Sequence, residues 1–394
     1  MSGSYIVAGA RTPIGKMSGA LAPFAAADLG GFAIAAALER AGVAPDEVEH
    51  VIMGQVLMAG QGQVPSRQAA VKAGIPMSVP SVNINKVCLS GLNSIYLGNQ
   101  MIMAGEADIV VAGGMESMTN APYLAAGARG GFRYGNTELA DAIIKDGLWC
   151  AFDACLMGLG TERYNAGGIS REAQDEMAMK SNERAANAIK DGRLADEIVP
   201  VSIPQRKGEP ILVETDEGVR PGTTMESLGG LKPAFDKEGT ITAANASQIS
   251  DGGSAVVLMS EKAVNARGVN PLGQFVSYGM VAGPDSASLL QQPSRAINAA
   301  LARAGKTVAD IDLFEINEAF AAVGIASMAD LGITDEIVNV NGGAIALGHP
   351  IGMSGNRLAL TLLHELRRRG GGLGAAALCG GGGQGDAIIV RTVS

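Results

Sequence analysis

Four cysteines and three histidines are the side chains best suited to nucleophilic chemistry in this 394-residue sequence, and Cys88 stands out among them. It lies in the stretch NKVCLSGL (85–92), where a helix is predicted to begin near Ser90. A thiol at a helix N-terminus faces free backbone N–H groups and the positive end of the helix dipole, which stabilise a thiolate. The position suits a nucleophile, whereas a single cysteine without such surroundings is more often a small buried hydrophobic residue.

A histidine that could activate this thiol lies in the stretch NVNGGAIALGHPIGMSG (339–355). His349 occupies a loop rich in Gly and Pro, directly before a predicted helix. An imidazole beside a cysteine accepts the thiol proton and makes the sulfur nucleophilic. The other two histidines, His50 before a predicted strand and His364 on a predicted helix, are expected to be solvated side chains.

A second cysteine is followed by four consecutive glycines in LCGGGGQG (378–385). Such a run costs chain entropy, so its use indicates that backbone N–H groups come close to another group. Cys379 could act as an acid and base, and a glycine N–H could donate to an oxyanion. The alternative is a flexible turn beside a buried structural cysteine.

An asparagine follows an apolar predicted strand in the stretch INEAF (316–320). Asn317 could orient a water molecule or donate a hydrogen bond to an oxyanion. Taken alone, the motif fits an Asn-mediated helix cap better.

Two pairs of similar stretches indicate that the elements carrying these residues are duplicated. LERAGVAPDEVEHVIMGQ (38–55) is similar to LARAGKTVADIDLFEINE (301–318), and both predict a helix end, a Gly stop and an apolar strand. SGLNSIYLGNQMIMAGEADIVVAGG (90–114) is similar to SGNRLALTLLHELRRRGGGLGAAALCGG (354–381), and both predict a helix followed by a strand of small residues. An Asn-x-Asn precedes each member of the second pair.

The alternation of helices and short apolar strands predicts an α/β protein with mostly parallel sheets covered by helices. Two such halves would be related by a pseudo-twofold axis, with Cys88 and His349 at equivalent ends of the two units. The halves are expected at 1–118, continued at 251–270, and at 271–394. The stretch between them, 119–250, has no repeat, and its part 202–239 has the Pro, Gly and charge content of an irregular surface insertion. Within 119–250, SREAQDEMAMKSNERAANAI (170–189) has the spacing of a helix, with Ser170 as its predicted cap.

The composition excludes several classes of function. The net charge of −9 argues against nucleic acid or an anionic membrane surface as the main partner. Val87 to Gly105 carries no charge but is interrupted by Asn, Gln and Gly, so it predicts a buried helix rather than a membrane span. The N-terminus has no secretory signal pattern, and no CxxC pair is present, so reduced thiols in the cytoplasm are expected.

Metal and nucleotide chemistry have little support in the sequence. Cys150 and Cys155 are five positions apart with no histidine nearby, which favours packing over metal ligation. No Walker-type loop and no strand-linked GxGxxG opens either half.

Together, several motifs resemble the thiolase family along essentially the full chain and in the order typical of the family. The stretches that carry the resemblance are ARTPIGK (10–16), NKVCLSGL, VVAGGMESM (110–118), GTITAANASQISDGGSA (239–255), INEAFAA, NVNGGAIALGHPIGMSG and LCGGGGQGDA. The resemblance implies two similar α/β halves in a five-layered αβαβα arrangement, with a loop domain inserted in the first half. It also implies an enzyme that joins two acetyl-CoA to acetoacetyl-CoA and coenzyme A, or runs the reverse cleavage.

The same resemblance implies roles for the residues singled out above. Cys88 would be the acylated nucleophile and His349 its activator, while Cys379 would remove and return the α-proton. Asn317, with a water and His349, would hold one thioester oxygen. The backbone N–H groups of Cys88 and Gly381 would hold the other.

Coenzyme A binding is likewise implied by the resemblance. Ser247 would contact the pantetheine, while Arg220 and Ser227 would lie near the adenine and phosphate end. Further contacts with coenzyme A would come from Leu148, Met157, Phe235 and Ala243. No metal or cofactor is implied, because the coenzyme A thioester is itself the substrate, and a homo-oligomer, most simply a tetramer with contacts from the 120–140 region, is expected.

Several positions depart from the family pattern. They are Leu89 after the nucleophile, Leu156 before Met157, LQQP (290–293) at the start of the second half and Gly380 after Cys379. These positions surround the expected acyl pocket and coenzyme entrance, so a degradative 3-ketoacyl-CoA thiolase for longer or branched chains is the alternative. A ketosynthase would place a second His where Asn317 stands, and a silent acyl-CoA-binding relative would not need all four site residues.

Overall fold

A computed structural model describes residues 3–165, 168–286 and 288–393 of the chain. The outermost positions of the two expected halves, 1–2 and 394, lie outside these described residues. In chain order the strands are β1 (Tyr5–Arg11), β2 (Gly15–Lys16), β3 (His50–Gly54), β4 (Ser81–Ile84), β5 (Ile109–Ser117), β6 (Tyr123–Leu124), β7 (Ala140–Asp141), β8 (Trp149–Cys150), β9 (Cys155–Leu156), β10 (Val201–Ile203), β11 (Ile211–Val213), β12 (Ser250–Met259), β13 (Gly273–Ala282), β14 (Leu313–Ile316), β15 (Leu373–Gly380) and β16 (Gln384–Thr392). The helices are α1 (Ala26–Ala41), α2 (Pro65–Lys72), α3 (Ser90–Met103), α4 (Met157–Asn165), α5 (Arg171–Lys190), α6 (Met225–Gly229), α7 (Glu261–Arg267), α8 (Gln292–Ala304), α9 (Ala321–Leu331), α10 (Ala344–Leu347) and α11 (Ser354–Arg368).

The long strands of both halves join into one sheet in the order β14-β15-β16-β13-β1-β12-β5-β3-β4, with β2 beside β12. The first half supplies β1 to β5 and β12, and the second supplies β13 to β16. A short antiparallel pairing of Tyr5 with Gln274 and of Ile6 with Gly273 connects the two halves.

The prediction of mostly parallel sheets is wrong. Among the strands of the described residues, only β3 with β4, β3 with β5 and β14 with β15 pair in parallel, whereas β12 and β16 run antiparallel to both of their long neighbours. The antiparallel pairing arises at the last strand of each half, β12 and β16. Strand β16 returns directly from β15 through a short glycine turn, so this connection needs no crossover helix.

Helices cover both halves of the sheet and also separate them, which gives five layers and confirms the expected αβαβα fold. Helices α1 and α2 pack on the outer face of the first half, and α8 and α9 lie on the outer side of the second. Helices α3 and α11 pack against each other, and each contacts strands of both halves. The two central helices therefore form the middle layer, between the part of the sheet from the first half and the part from the second.

The first repeat pair adopts the same local structure in both halves, as the sequence predicts. Helix α1 stops at Gly42 with φ 61° and α8 stops at Gly305 with φ 63°, a left-handed conformation that favours glycine at a helix end. A short tight turn then leads into β3 in the first half and β14 in the second.

The second repeat pair forms the middle layer. Helices α3 and α11 begin at Ser90 and Ser354, as predicted, and lead into β5 and β15. The helix N-termini meet so closely that a Cβ on Gly91 would lie 2.8 Å from the carbonyl oxygen of Gly352. Only glycine fits this crossing, which brings the starts of the two helices, and the residues just before them, to the same place.

The chain between Ser117 and Ser250 contributes shorter elements outside the sheet. Helix α5 begins after Ser170, whose hydroxyl oxygen accepts a hydrogen bond from the backbone N–H of Ala173, as the predicted cap requires. Most of 204–239 is irregular and exposed. The uncharged run predicted as a buried helix is α3, and no helix of the described residues is long and apolar enough to cross a membrane.

Candidate active site

Cys88 lies two residues before α3, in a tight loop held by the first side chain of that helix. The Ser90 hydroxyl accepts from the Lys86 N–H at 2.8 Å and donates to the Val87 carbonyl at 2.6 Å. Val87 has φ 51°, an unfavourable left-handed conformation for a β-branched residue, so the loop stores backbone strain beside the thiol. Strain of this kind is found where the surrounding structure fixes a functional residue.

Burial dominates the acidity of Cys88, contrary to the expectation that the helix terminus stabilises a thiolate. The side chain is 5% exposed, and this desolvation raises the pKa of the Cys88 thiol to about 12, assisted slightly by the carboxylate of Glu116. The thiol is therefore protonated at neutral pH when no ligand is bound, and it needs a base to become a nucleophile.

His349 is a neutral base with a fixed tautomer. Burial, together with the charge of Arg357, lowers the pKa of His349 to about 3. Its Nδ1 lies 2.6 Å from Ser354 Oγ, and that hydroxyl donates its own hydrogen to the Pro350 carbonyl at 2.9 Å. Ser354 can therefore only accept from Nδ1–H, which leaves Nε2 with a free lone pair.

Asn317 follows β14, and its side chain faces the free nitrogen of the imidazole. Asn317 Nδ2 lies 3.4 Å from His349 Nε2, and Asn317 Oδ1 has no hydrogen-bond partner in the described part of the chain. The residue is completely buried, and α9 begins only at Ala321, so Asn317 does not cap that helix. A buried amide with an unpartnered oxygen beside an imidazole is a place where a water or substrate atom can bind.

Cys379 lies near the end of β15, next to the Cys88 loop. It is 1% exposed, and burial raises the pKa of its thiol above the usual range, with a further contribution from the charge of Cys88. The glycines that follow make this approach possible: a Cβ on Gly380 would lie 2.7 Å from Leu89, and one on Gly381 would lie 3.4 Å from Val87. The glycine run therefore packs directly against the residues on both sides of Cys88.

A cavity of about 560 Å³ leads from the surface to His349. Six residues predicted to contact coenzyme A line it, namely Leu148, Met157, Arg220, Phe235, Ala243 and Ser247. The walls are largely apolar, and the side chains of Lys16 and Arg220 supply positive charge. Its size and chemistry match sites that bury a drug-sized ligand with a few polar contacts.

Comparison with known families accounts for nearly the entire chain. The thiolase N-terminal domain matches residues 4–262, and the thiolase C-terminal domain matches residues 269–392. The chain belongs to the thiolase family.

Curated relatives match the chain from end to end. A probable acetyl-CoA acetyltransferase of Mycolicibacterium smegmatis is 56% identical over 387 residues, which cover 98% of this chain and 100% of the relative. An acetyl-CoA acetyltransferase of Cupriavidus necator is 53% identical over 392 residues, with 99% and 100% coverage. A third, from Pseudomonas aeruginosa, is 49% identical over 391 residues, with 99% coverage of both chains.

Five residues predicted for the site of this thiolase do not line the 560 Å³ cavity, and His349 alone of the predicted catalytic residues does. They are Cys88, Asn317 and Cys379, which are buried, together with Ser227 and Gly381. Ser227 is exposed near the start of α6, where its N–H donates to Thr224 Oγ1 and its hydroxyl donates to the Thr224 carbonyl. Gly381 lines a separate cavity of about 630 Å³ on the other side of Met157. Gly381 nevertheless remains beside the Cys88 loop, through its contact with Val87.

The sequence analysis missed two residues that hold the site of the thiolase together. Ser354 was interpreted only as a helix start, although it fixes the tautomer of His349. Glu116 at the end of β5 is fully buried, and its carboxylate accepts from the N–H groups of Val56, Leu57 and Gly352. Burial raises the pKa of Glu116 to about 7. The sequence did contain a signal for Glu116, because it is the one charged residue in the stretch VVAGGMESM.

The expectation that His364 is solvated is wrong. Its side chain is largely covered by the structure, burial lowers its pKa, and Nε2 has no hydrogen-bond partner within the described residues. The residue lies on α11 between the buried Leu363 and Glu365, near the charges of Arg40 and Arg368. His50 is half-buried at the start of β3. Within the described ranges, no group of His, Cys, Asp and Glu side chains is arranged to hold a metal ion.

Proposed function

We propose that this thiolase is an acetyl-CoA C-acetyltransferase, which condenses two acetyl-CoA to acetoacetyl-CoA and coenzyme A and also catalyses the reverse cleavage. The observation that carries the proposal is a coenzyme-sized cavity that reaches the neutral imidazole of His349, which has Asn317 beside it. The proximity of the two buried thiols, Cys88 and Cys379, supports the same proposal. The names of the full-length relatives support acetyl-CoA as the substrate.

The first half-reaction forms a thioester on Cys88. His349 Nε2 accepts the thiol proton, and the sulfur attacks the carbonyl carbon of acetyl-CoA. The tetrahedral intermediate then expels the thiolate of coenzyme A, which takes the proton of the Cys379 thiol. The products are acetyl-Cys88, free coenzyme A, a Cys379 thiolate and a His349 that still carries the Cys88 proton on Nε2. The raised pKa of the Cys88 thiol makes this base necessary, because very little thiolate exists without it.

The second half-reaction forms the carbon–carbon bond. The thiolate of Cys379 removes a proton from the methyl group of a second acetyl-CoA, and the resulting carbanion attacks the carbonyl of acetyl-Cys88. The bond to the Cys88 sulfur breaks, this sulfur takes back its proton from His349 Nε2, and acetoacetyl-CoA is released. Burial raises the pKa of Cys379, so its thiolate is a strong base, which a weakly acidic C–H bond requires.

Two sets of donors would stabilise the oxygen anions of these steps. Asn317 and His349, with a bound water, are proposed to hold the enolate oxygen. The backbone N–H groups of Cys88 and Gly381 are proposed to hold the oxygen of the tetrahedral intermediate. Each preorganised donor of this kind contributes about 3 kcal/mol to transition-state stabilisation.

Coenzyme A is proposed to bind along the 560 Å³ cavity with its thioester toward His349. The apolar walls, including Phe235 and Met157, suit the pantetheine arm, and Ser247 supplies a hydroxyl. The guanidinium of Arg220 has no ion pair among the described residues, so its charge is free for a phosphate. The chemistry proposed needs no further cofactor, because the thioester itself acidifies its α-carbon.

A second candidate is cleavage of 3-ketoacyl-CoA with longer chains. The observation that favours it is the 630 Å³ cavity lined by Gly381, Val87 and Met157. This cavity is separated from the coenzyme cavity by Met157, which lines both. An acyl chain longer than acetyl could enter it if the Met157 side chain moved.

The chain is further proposed to form a homo-oligomer, most simply a tetramer, in the cytoplasm. Strand β4 is an open sheet edge with Val82 40% exposed, and Phe132, Tyr134 and Leu139 project from the exposed segment 125–139. Exposed strand edges and apolar side chains of this kind are typical of protein interfaces. Two catalytic cysteines that must stay reduced support the cytoplasm.

The test is an assay of the purified full chain in both directions. We expect thiolysis of acetoacetyl-CoA by coenzyme A, and intact-mass detection of one acetyl group on Cys88 after mixing with acetyl-CoA. Cys88→Ala should abolish both signals. A wild-type chain that neither cleaves acetoacetyl-CoA nor becomes acylated would contradict the proposal.

A further inference from the structure

Two cysteines outside the catalytic set face each other across a small hairpin. Strands β8 and β9 are antiparallel, and their register places Cys150 directly opposite Cys155. Opposite residues in such a pair project to the same side, with Cα atoms about 4.5–5.5 Å apart. A disulfide spans Cα separations of about 4.4–6.8 Å, so the backbone already has the spacing that the bond requires.

The surroundings of the two thiols are also shared. Both side chains are buried, at 9% exposure for Cys150 and 5% for Cys155. Cys150 lines a small cavity together with Gly160, and a Cβ on Gly160 would lie 3.8 Å from the sulfur of Cys155. The Cys155 sulfur therefore lies beside a glycine of the same small cavity that Cys150 lines.

An oxidant can reach this pair from solvent. Cys150 also lines the open 630 Å³ cavity, and the connecting residues 151–154 are exposed. The Cys150 thiol donates to Asp153 Oδ2 at 3.2 Å, and the same oxygen accepts from Ser286 Oγ at 2.6 Å. These hydrogen bonds hold the exposed tip of the reduced hairpin.

The hairpin lies within the wall of the substrate cavity. Leu148 directly precedes β8 and Met157 directly follows β9, and both side chains line the 560 Å³ cavity. A covalent bond between the two strands would therefore hold together the two ends of one segment of that wall. A segment ordered in advance loses less entropy when a ligand binds.

We propose that Cys150 and Cys155 are a reversible redox pair that forms a disulfide and thereby rigidifies this part of the coenzyme A cavity. In the reaction, each thiol loses one hydrogen and one S–S bond forms. The two electrons pass to a peroxide, which is reduced to two waters, or to a small-molecule disulfide, which is reduced to two thiols. The oxidised enzyme binds its coenzyme A thioester more tightly than the reduced enzyme, a consequence that rests on the function proposed above.

The bond itself is tested without activity, in the full-length double variant Cys88→Ala, Cys379→Ala, which leaves only the hairpin thiols. We expect iodoacetamide to modify two thiols of the reduced, unfolded protein and none after treatment of the folded protein with hydrogen peroxide or glutathione disulfide. The intact mass should fall by two hydrogens, and dithiothreitol should restore both thiols. Two free thiols after oxidation, or glutathione adducts without an internal bond, would overturn the proposal.

The effect on the cavity is tested in the chain with both catalytic cysteines, acetylated on Cys88 during oxidation to protect that sulfur. After removal of the oxidant, the KM for acetoacetyl-CoA should be at least about twofold lower than in the reduced enzyme, with kcat nearly unchanged. Cys155→Ala, which retains the Cys150 hydrogen bond to Asp153, should show no change under the same treatment. An unchanged KM in an enzyme with a proven disulfide would overturn the proposed effect on binding. A wild-type chain without thiolase activity would instead overturn the proposed function, and the mapped disulfide would remain valid.

Discussion

Ser354 accepts a hydrogen bond from His349 Nδ1 at 2.6 Å and donates its own hydrogen to the Pro350 carbonyl at 2.9 Å. This chain of two hydrogen bonds determines which imidazole nitrogen is free to act as the base. Because Ser354 is the first residue of α11 and Cys88 lies just before α3, the crossing of the two central helices brings base and nucleophile together.

Ser354→Ala should lower kcat for acetoacetyl-CoA thiolysis by about 10- to 100-fold, with little change in KM, as loss of a partner that orients a histidine does elsewhere. Ser354→Thr, which keeps the hydroxyl, should recover most of the activity. Steady-state kinetics of the three proteins provide the measurement. Equal losses in the Ala and Thr variants would show that the hydroxyl does not orient His349.

The raised pKa of Cys88 predicts how its reactivity depends on pH. Because the thiol of the free enzyme stays protonated at neutral pH, the rate of alkylation by iodoacetamide should rise steadily from pH 6 to pH 8. Acetyl-CoA should protect Cys88, as shown by mapping the modified peptide. A rate that reaches a plateau below pH 7 would mean that the thiol is much more acidic than its burial implies.

Variants of the two catalytic cysteines should lose different steps of the reaction. Cys379→Ala should still transfer one acetyl group from acetyl-CoA to Cys88, but it should lose exchange of the acetyl methyl hydrogens with D₂O. Turnover should fall by about 10²- to 10⁴-fold, the usual contribution of a general base. The measurements are intact mass and NMR of the methyl signal, with Cys88→Ala as the variant that cannot be acylated. Normal turnover in Cys379→Ala would remove its proposed role.

Much of the fold could be predicted from the sequence, because its repeats carry local signals. The Gly stops at 42 and 305, the helix starts at Ser90 and Ser354 and the Ser170 cap each depend on a few neighbouring residues. The strand directions could not be predicted in this way, since pairing of β12 with β1 and β5 joins residues far apart in sequence.

The candidate site could be predicted in its residue types but not in its electrostatics. The helix N-terminus suggested an acidic Cys88, yet burial dominates and raises the pKa of the thiol. Burial of a side chain is a property of the complete fold, and the sequence around residue 88 does not show it. The same reason explains His364, whose exposure was predicted from its charged neighbours alone.

We expect the chain-length preference of the enzyme to depend on the thioether side chain of Met157. Its sulfur would lie 3.8 Å from a Cβ on Gly381, and its side chain lines both the coenzyme cavity and the 630 Å³ cavity beyond. Met157→Ala should join the two cavities and raise kcat/KM for 3-oxooctanoyl-CoA relative to acetoacetyl-CoA by at least about tenfold. Thiolysis of both substrates gives this ratio.

A matched control and a blocking variant decide whether the longer acyl chain binds in the 630 Å³ cavity. Met280→Ala removes the same side chain from β13, where it lines neither cavity among the described residues, and it should leave the ratio unchanged. Ala59 lines the 630 Å³ cavity but not the coenzyme cavity, so Ala59→Phe places a bulky side chain in the second cavity alone. It should cancel the gain in the Met157→Ala background while acetoacetyl-CoA is still cleaved. If the double variant kept the gain, the longer chain would have to lie along the coenzyme cavity instead, because the second cavity would no longer have room for it.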